Sequence, residues 1–459
     1  MVCCTLGEST PEAASWRYRY DAEGRKIEEI KPSLIALASS YDAKGRLTSF
    51  TSSDGSIAWT YQYNSQNLPE TVVNEVSGAI TRRSYNGLGK IVQESLENNT
   101  ALSYGILPTG HLSSITYPDG SRCDYGYVSG QLSSIKRHGY EYHVNSRDLS
   151  GMITRATLPA SAGQMSQAVD LMGRRTAVAS DAFHEERTLF DPVGCCLERT
   201  MDGRHEVFTY DFLSQLTSDN GRSASYDSLY RRVETEGAAA SHNARHQILS
   251  QGERKFQYDI DGRRTEDDRY CYRYDACDRL TAVEDATTRY EYTYDSFNRR
   301  LSSTKHVKEE GGWKAVAQER FLWHDQCEIG SLDEDSRLKT LRILGEGLGG
   351  EIGAAVAFEM DGELFVPIHD LSGHVRACVN SHGEVAERLS YTAFGLESRT
   401  AELTPWTYSS KRQDQETGFL YFGRRYYEPS TATWVTQDPL GYNAGPNLYA
   451  YVKNNPLTY

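Results

Sequence analysis

The sequence has no uninterrupted apolar run of about 18 residues, the length a membrane-spanning helix requires, and its mean hydropathy is −0.61. It lacks a basic excess: 49 Lys and Arg stand against 63 Asp and Glu, a net charge of −14. That excludes the basic face of a general nucleic-acid binder. No basic segment leads into an apolar one at the start, so no signal peptide is legible. The nine cysteines include no C-x-x-C pair. They read as scattered idle thiols, the vicinal pairs Cys3-Cys4 and Cys195-Cys196 included, and not as a zinc or redox centre. The twelve histidines form no H-E-x-x-H, and His242 and His246 have no acidic residue between them. No G-x-S-x-G, P-loop or dinucleotide fingerprint occurs, and no helical period of useful length. No metal or cofactor is expected.

What is present in excess is tyrosine: 31 Tyr against 13 Phe and 6 Trp in 459 residues. Tyrosine suits sheets whose aromatic faces stay partly wet. It sits in a repeat: two aromatic positions at i and i+2, then Asp or Asn, then Gly or Asn, then Arg or Gln, often followed by Leu. Copies stand at Tyr18/Tyr20-Asp21 with Gly24-Arg25, at Tyr41-Asp42 with Gly45-Arg46, at Tyr61/Tyr63-Asn64 with Asn67, and at Tyr85-Asn86 with Gly89. Weaker copies surround Tyr125/Tyr127, Asp170 and Asp191, and strong ones return at Asp211, Asp227, Asp259, Asp275 and Asp295. The steps are 21, 22 and 22 from Tyr20 to Tyr85, and tighten to 16 between Tyr210 and Tyr274.

Each unit reads as a β-hairpin. Residues i and i+2 share one face of a strand. The Asp or Asn ends it by hydrogen-bonding to backbone two residues on. The Gly or Asn accepts a positive φ and closes the loop. Neighbouring hairpins are expected to stack their tyrosines across strands, as an array no single hairpin could sustain. These Asp residues are read as turn formers, not catalysts. The fold class is therefore all-β, with residues 16–310 as repeat, residues 1–15 as a short disordered leader, and 311–459 as a separate block.

Ten or more such copies in series resemble the YD repeats of the Rhs proteins, which also build Tc-toxin BC shells and the teneurin YD-shell. The resemblance covers about residues 16–459 and implies a long sheet spiralling into a hollow shell. Within the last block, Pro367–Arg376 and the Tyr391-x-x-Phe394-Gly395 element resemble the opening of the Rhs repeat-associated core. His369, Asp370 and His374 are read there as turn and packing residues. The segments Thr417–Pro429, Trp434–Gly441 and Asn447–Pro456 resemble the hallmark of that core. In the family the core closes the shell and acts as an aspartate-type autoprotease that clips off a variable C-terminal toxin. Carried over, Arg425 and Asp438 match the core arginine and aspartate. Two carboxyls sharing a proton can serve as base and acid, and a guanidinium can steady one of them. The alternative role for Arg425 and Asp438 is an ion pair that anchors the plug.

The chain also departs from the family. Glu428 stands where the family has Asp, and Ala432-Thr433 where it has Gly-Arg. The second Asp-Pro motif, carrying the partner aspartate, would fall beyond Tyr459, and the sequence reads as cut at both ends. The expected function is a shell segment of an Rhs-type polymorphic toxin, incomplete as an autoprotease in this form. The expected partners are its own or an adjacent C-terminal toxin segment, an N-terminal shell or secretion module, and an immunity protein or a surface glycan, with no nucleic acid and no membrane span. The expected setting is secreted or cell-surface, as part of a larger protein. The alternative is a cell-surface adhesion or carbohydrate-binding module, for which six Trp are too few to give one per repeat.

Overall fold

The computed structural model describes residues 5–9, 15–443 and 445–458; Cys3 and Cys4 lie outside them. From Thr5–Ser9 to Glu397–Arg399 every strand pairs antiparallel with its neighbours in sequence. The expected leader contains the first of these strands: Thr5–Ser9 pairs with Ser15–Tyr20. The expected division at 310/311 falls at the tip of one hairpin, Arg300–Glu309 with Gly312–His324. Continuous sheet gives way to short turns only after Arg399. A four-stranded sheet follows, of Arg412–Gln413, Leu420–Tyr421, Tyr426–Glu428 and Thr433–Trp434.

The repeat loops form as their residues dictate. At Asp21, Oδ1 accepts the amides of Glu23 (3.1 Å) and Arg25 (2.8 Å), and Gly24 sits at φ +79°. The same Asp holds its repeat's arginine: Arg25 Nε donates to Asp21 Oδ2 at 2.6 Å, and Arg46 Nε to Asp42 Oδ2 at 2.7 Å. That arginine then lies over the next repeat's tyrosine. Arg25 is 5.0 Å from the Tyr41 ring centre, Arg46 is 4.6 Å from Tyr63, and Arg279 is 4.9 Å from Tyr294. The tyrosine hydroxyl reaches back to a backbone carbonyl of the previous unit, as Tyr63 to Leu47 (2.7 Å), Tyr85 to Pro69 (2.7 Å) and Tyr294 to Leu280 (2.7 Å). The interaction between neighbours is thus tyrosine on arginine, where ring-on-ring stacking was expected. A guanidinium pinned by its own Asp is a better partner for the ring face than a second ring of like quadrupole.

The sheet returns on itself. Within the long sheet, contacts between distant segments recur at sequence separations from 174 (Asp219 with Ala393) to 247 (Lys31 with Asp278). Early strands rest their loops on later repeat loops. Lys31 Nζ lies 2.7 Å from Asp278, the Ser33 amide donates to Asp261 at 2.9 Å, and Asn98 donates to the carbonyls of Leu301 and Phe321. Arg299 is bidentate to Glu94, at 3.0 and 2.9 Å. Further along, the contact becomes face to face: residues 102–183 and 322–379 share the largest apolar cluster, which includes Leu102, Ile135, Val178, Leu322, Ile343 and Val366. Strands buried on both faces read as continuous apolar runs, as at residues 355–358 of the strand Ala355–Met360. Among the described residues no helix is long and apolar enough to cross a membrane.

Candidate functional site

The last 60 or so residues pack against the wall through polar contacts more than through regular structure. The Tyr449 hydroxyl donates to the Gly262 carbonyl at 2.6 Å, Asn447 Nδ2 to Tyr230 O at 2.9 Å, and Asn454 Nδ2 to Gln215 Oε1 at 2.9 Å. Arg300, from the wall, is bidentate to Asp414 at 2.6 and 2.8 Å, and its Nη1 also donates to the Tyr426 hydroxyl. Each of these wall residues belongs to a repeat loop or directly follows one, so the repeat loops form the seat of the plug.

Arg425 and Asp438 are brought together. Arg425 Nη2 lies 2.8 Å from Asp438 Oδ2, with the side chains 17% and 15% exposed. The short sheet sets this up. Tyr426 O accepts the Val435 amide at 3.0 Å, which lays the Arg425 segment beside Trp434. The guanidinium is 4.0 Å from the Trp434 ring centre. The Asp438 amide is tied to Leu448 O at 3.0 Å, and its Oδ1 accepts the Leu440 amide at 2.9 Å within the Asp-Pro-Leu-Gly turn. One carboxylate oxygen is thus committed to the turn and the other to arginine. Arg425 Nη1 is buried with no partner. Burial draws the Arg425 guanidinium below the ordinary arginine range, and the Asp438 charge opposes this.

Both residues line a cavity of about 340 Å³ between plug and wall, shared with Lys31, Asp261, Arg263 and Asp278. The repeat loop carrying Asp261 touches the Asp438 segment directly. A Cβ on Gly262 would meet Gln437 Nε2 at 1.8 Å and the Tyr449 hydroxyl at 2.8 Å. Asp261 accepts from Ser33 through Oδ1, and its Oδ2 has no hydrogen-bond partner. That oxygen lies 3.5 Å from Arg263 Nη2, and the side chain is 1% exposed. Nothing local in the sequence marked Asp261, which occupies a variable position of its loop. Only the fold brings it beside Gln437-Asp438.

The other expected residues serve structure. Asp370 accepts the amides of Ser372 and His374 and holds Arg376 Nε at 2.6 Å. The surrounding cations hold its carboxyl well below the usual range despite burial. His374 stacks on Tyr408 with ring centres 4.0 Å apart and accepts the Ser409 amide on Nδ1. Burial drives its pKa down to about 3, so it is neutral. His369, Asp370 and Gly373 line a different cavity, of about 430 Å³, far in sequence from Asp438. Glu428, one of the departures, binds two wall arginines, Arg264 and Arg254 (2.9 Å), and accepts from Ser430 at 2.8 Å. Burial raises its pKa, but the two guanidiniums win and hold it at about 2. Ala432, where the family pattern has Gly, adopts φ +57°. The seven described cysteines are free thiols, and among the described residues no three of His, Cys, Asp and Glu gather as a metal site.

Known proteins share this architecture. The chain is 24% identical, over 95% of its length, to the Double-stranded DNA deaminase toxin A of Burkholderia cenocepacia, of which it spans 32%. It is 27% identical to the tRNA3(Ser)-specific nuclease WapA of Bacillus spizizenii over 48% of its length, but only 9% of that protein. Toxin subunit YenC2 of Yersinia entomophaga is 50% identical over 50 residues, 11% of this chain and 5% of that protein. The crystal structure of TcdB2-TccC3 superposes on 99% of this chain with a TM-score of 0.79 at 16% identity, the chain covering 28% of that one. The chain thus spans about a third of the length of the deaminase toxin it matches. Residues 41–78 match the family described as RHS Repeat, and residues 198–457, more than half the chain, match Teneurin YD-shell. With its strand-by-strand sheet, its repeat loops and its matching plug, the chain belongs to the teneurin YD-shell family.

Proposed function

We propose that this chain is a wall-and-plug segment of an Rhs-type toxin shell, that it encloses a C-terminal effector, and that Asp438 and Arg425 take part in cutting the effector free. The observation that carries this reading is the closed path of the sheet: strands some 200 residues apart are joined by buried ion pairs such as Arg299–Glu94, with the plug seated on the repeat loops. A wall rich in tyrosine offers an enclosed chain many weak amphipathic contacts and no single strong apolar site.

For peptide cleavage the chemistry is acid–base. Asp438, held at 2.8 Å by Arg425, is the carboxyl placed to take a proton from water. The unpartnered Nη1 of Arg425 is free to receive the negative charge that develops on the scissile carbonyl oxygen. The adhesion reading is weaker, because Trp59, Trp323, Trp406 and Trp434 are all buried and not available to stack on a sugar. The test is intact-mass analysis of the full gene product. A released C-terminal fragment is expected from the wild type and none from Asp438→Asn; cleavage that survives Asp438→Asn overturns the assignment.

A further inference from the structure

The Asp438 segment is held from two sides, and only one of them is the plug. On the plug side, the Val435 amide donates to Tyr426 O and the Asp438 amide to Leu448 O, each at 3.0 Å. On the wall side, the Arg264 amide donates to Val435 O at 3.3 Å. The residues beside Asp438 and beside its backbone partner are pinned to the wall as well. Tyr449, next to Leu448, is 1% exposed; its hydroxyl donates to Gly262 O at 2.6 Å and accepts from Gln247 Nε2 at 2.9 Å. Gln437, next to Asp438, fills the space that a side chain on residue 262 would take: a Cβ there meets its Nε2 at 1.8 Å and its Cδ at 2.6 Å. Gly24, Gly173 and Gly194, at the same position of their own loops, face open space. Gly262 is thus required twice, for its φ of +86° and for the room it leaves the plug. The cavity that Asp438 and Arg425 line is completed from the wall by Lys31 and Asp278.

We propose that contact with the wall positions Asp438, so that cleavage waits until the plug is seated; this rests on the proteolytic reading above. Gln437 and Tyr449 are positioning residues in this arrangement: they act through Asp438 and exchange no proton. Catalysis is sensitive to such placement, a shift of about 1 Å costing on the order of 100-fold in rate. A plug standing away from the loop Asp259–Arg263 loses the Arg264–Val435 bond, the Tyr449–Gly262 bond and the wall side of the cavity together. The chain therefore keeps its effector attached while the shell is open, and release follows closure. That order suits an enclosing wall, because an effector cut free before closure would escape.

The test follows the full gene product by intact mass over a time course of synthesis, well below the melting temperature of each variant. Gly262→Ala is expected to cleave about 100-fold more slowly than the wild type. Gly24→Ala, which carries the same left-handed strain but touches no plug residue, is expected to cleave at the wild-type rate. Adding Gln437→Ala to Gly262→Ala clears the nearest obstruction and is expected to recover part of the lost rate. Tyr449→Phe removes only the hydroxyl that meets Gly262 O and is expected to be about 10-fold slower, the scale of one buried hydrogen bond; it decides the matter if Gly262→Ala does not fold. Wild-type rates in Gly262→Ala or in Tyr449→Phe, with Asp438→Asn uncut, overturn this proposal and leave the proteolytic reading standing. Equal slowing in Gly24→Ala and Gly262→Ala, or no gain from Gln437→Ala, also overturns it, because the loss then comes from backbone strain. A wild type that does not cleave removes the proteolytic reading and this inference with it.

Discussion

The same loop occurs in two surroundings. At Asp21–Arg25 the arginine and aspartate side chains are 31% and 18% exposed. At Asp295–Arg299 both are 0% exposed, and Arg299 also holds Glu94, some 200 residues away, which a second arginine, Arg83, reaches from its other side. The local geometry is nearly the same, with Nε to Oδ2 at 2.6 and 2.7 Å. What changes is the consequence of breaking it. Exposed pairs contribute little because water competes for both ions, whereas removing one member of a buried pair strands the other charge. One sequence motif therefore shapes a loop in the early repeats and becomes a structural joint where the sheet closes on itself.

The sharpest way to break the comparison is to remove the arginine in each setting. Arg299→Ala leaves Asp295 and Glu94 facing a lost partner and is expected to destabilise by about 3–5 kcal/mol, whereas Arg25→Ala is expected to leave the unfolding midpoint nearly unmoved. Denaturant unfolding of both variants reads the difference; equal effects contradict it. Glycines give a second pair. Gly24 and Gly262 share φ values of +79° and +86°, but a Cβ meets open space at the first and Gln437 and Tyr449 at the second. Gly24→Ala should cost about 1–2 kcal/mol of left-handed strain. Gly262→Ala should add about 1–3 kcal/mol of overpacking and loosen the plug, read as faster limited proteolysis after residue 400.

Smaller effects separate two of the plug's glutamates, Glu416 and Glu428, by pH. Burial pushes Glu416 up to about 7, helped by the nearby Asp414 charge. Its folded pKa lies above the unfolded value, so its contribution is full below about 4.5 and lost as pH rises towards 7. Glu428 is held at about 2, so its contribution is present above about 4.5 and lost as pH falls towards 2. Glu416→Gln should flatten the melting temperature between pH 4.5 and 7, and Glu428→Gln should flatten it below 4.5 while lowering it at neutral pH; exchanged windows contradict the assignment. The tyrosine hydroxyls give the last pair. Tyr294→Phe, whose buried hydroxyl meets the Leu280 carbonyl and the Tyr426 hydroxyl, should cost about 1–3 kcal/mol. Tyr63→Phe, whose partner Leu47 O is half-buried, should cost about 0.5–1.5 kcal/mol.

Much of this was legible in the sequence, and what was not has a physical pattern. The Tyr-Asp-x-x-Gly loops are local, and their strands, turns and positive φ angles follow from residues within five positions. The arginine of the repeat was visible, but its place over the next tyrosine was not, because that contact depends on how hairpins are offset. The joints Lys31–Asp278 and Arg137–Glu359 link residues more than 200 positions apart, and no local period encodes them. At the site, Arg425 and Asp438 were reachable through the resemblance of their motifs. Glu428 stood out only as a departure, since its partners Arg254 and Arg264 lie in the wall. Asp261 carried no signal at all: it occupies a variable loop position and gains its setting only when the plug docks.

The account rests most on the sheet closing into a hollow wall. Electron cryomicroscopy of the full gene product tests it directly. The expected map shows an antiparallel wall that returns on itself, with Arg299 against Glu94 at the joint, the plug seated on the repeat loops and an open interior. A map with a solid interior, or with residues 94 and 299 apart in an open sheet, contradicts it.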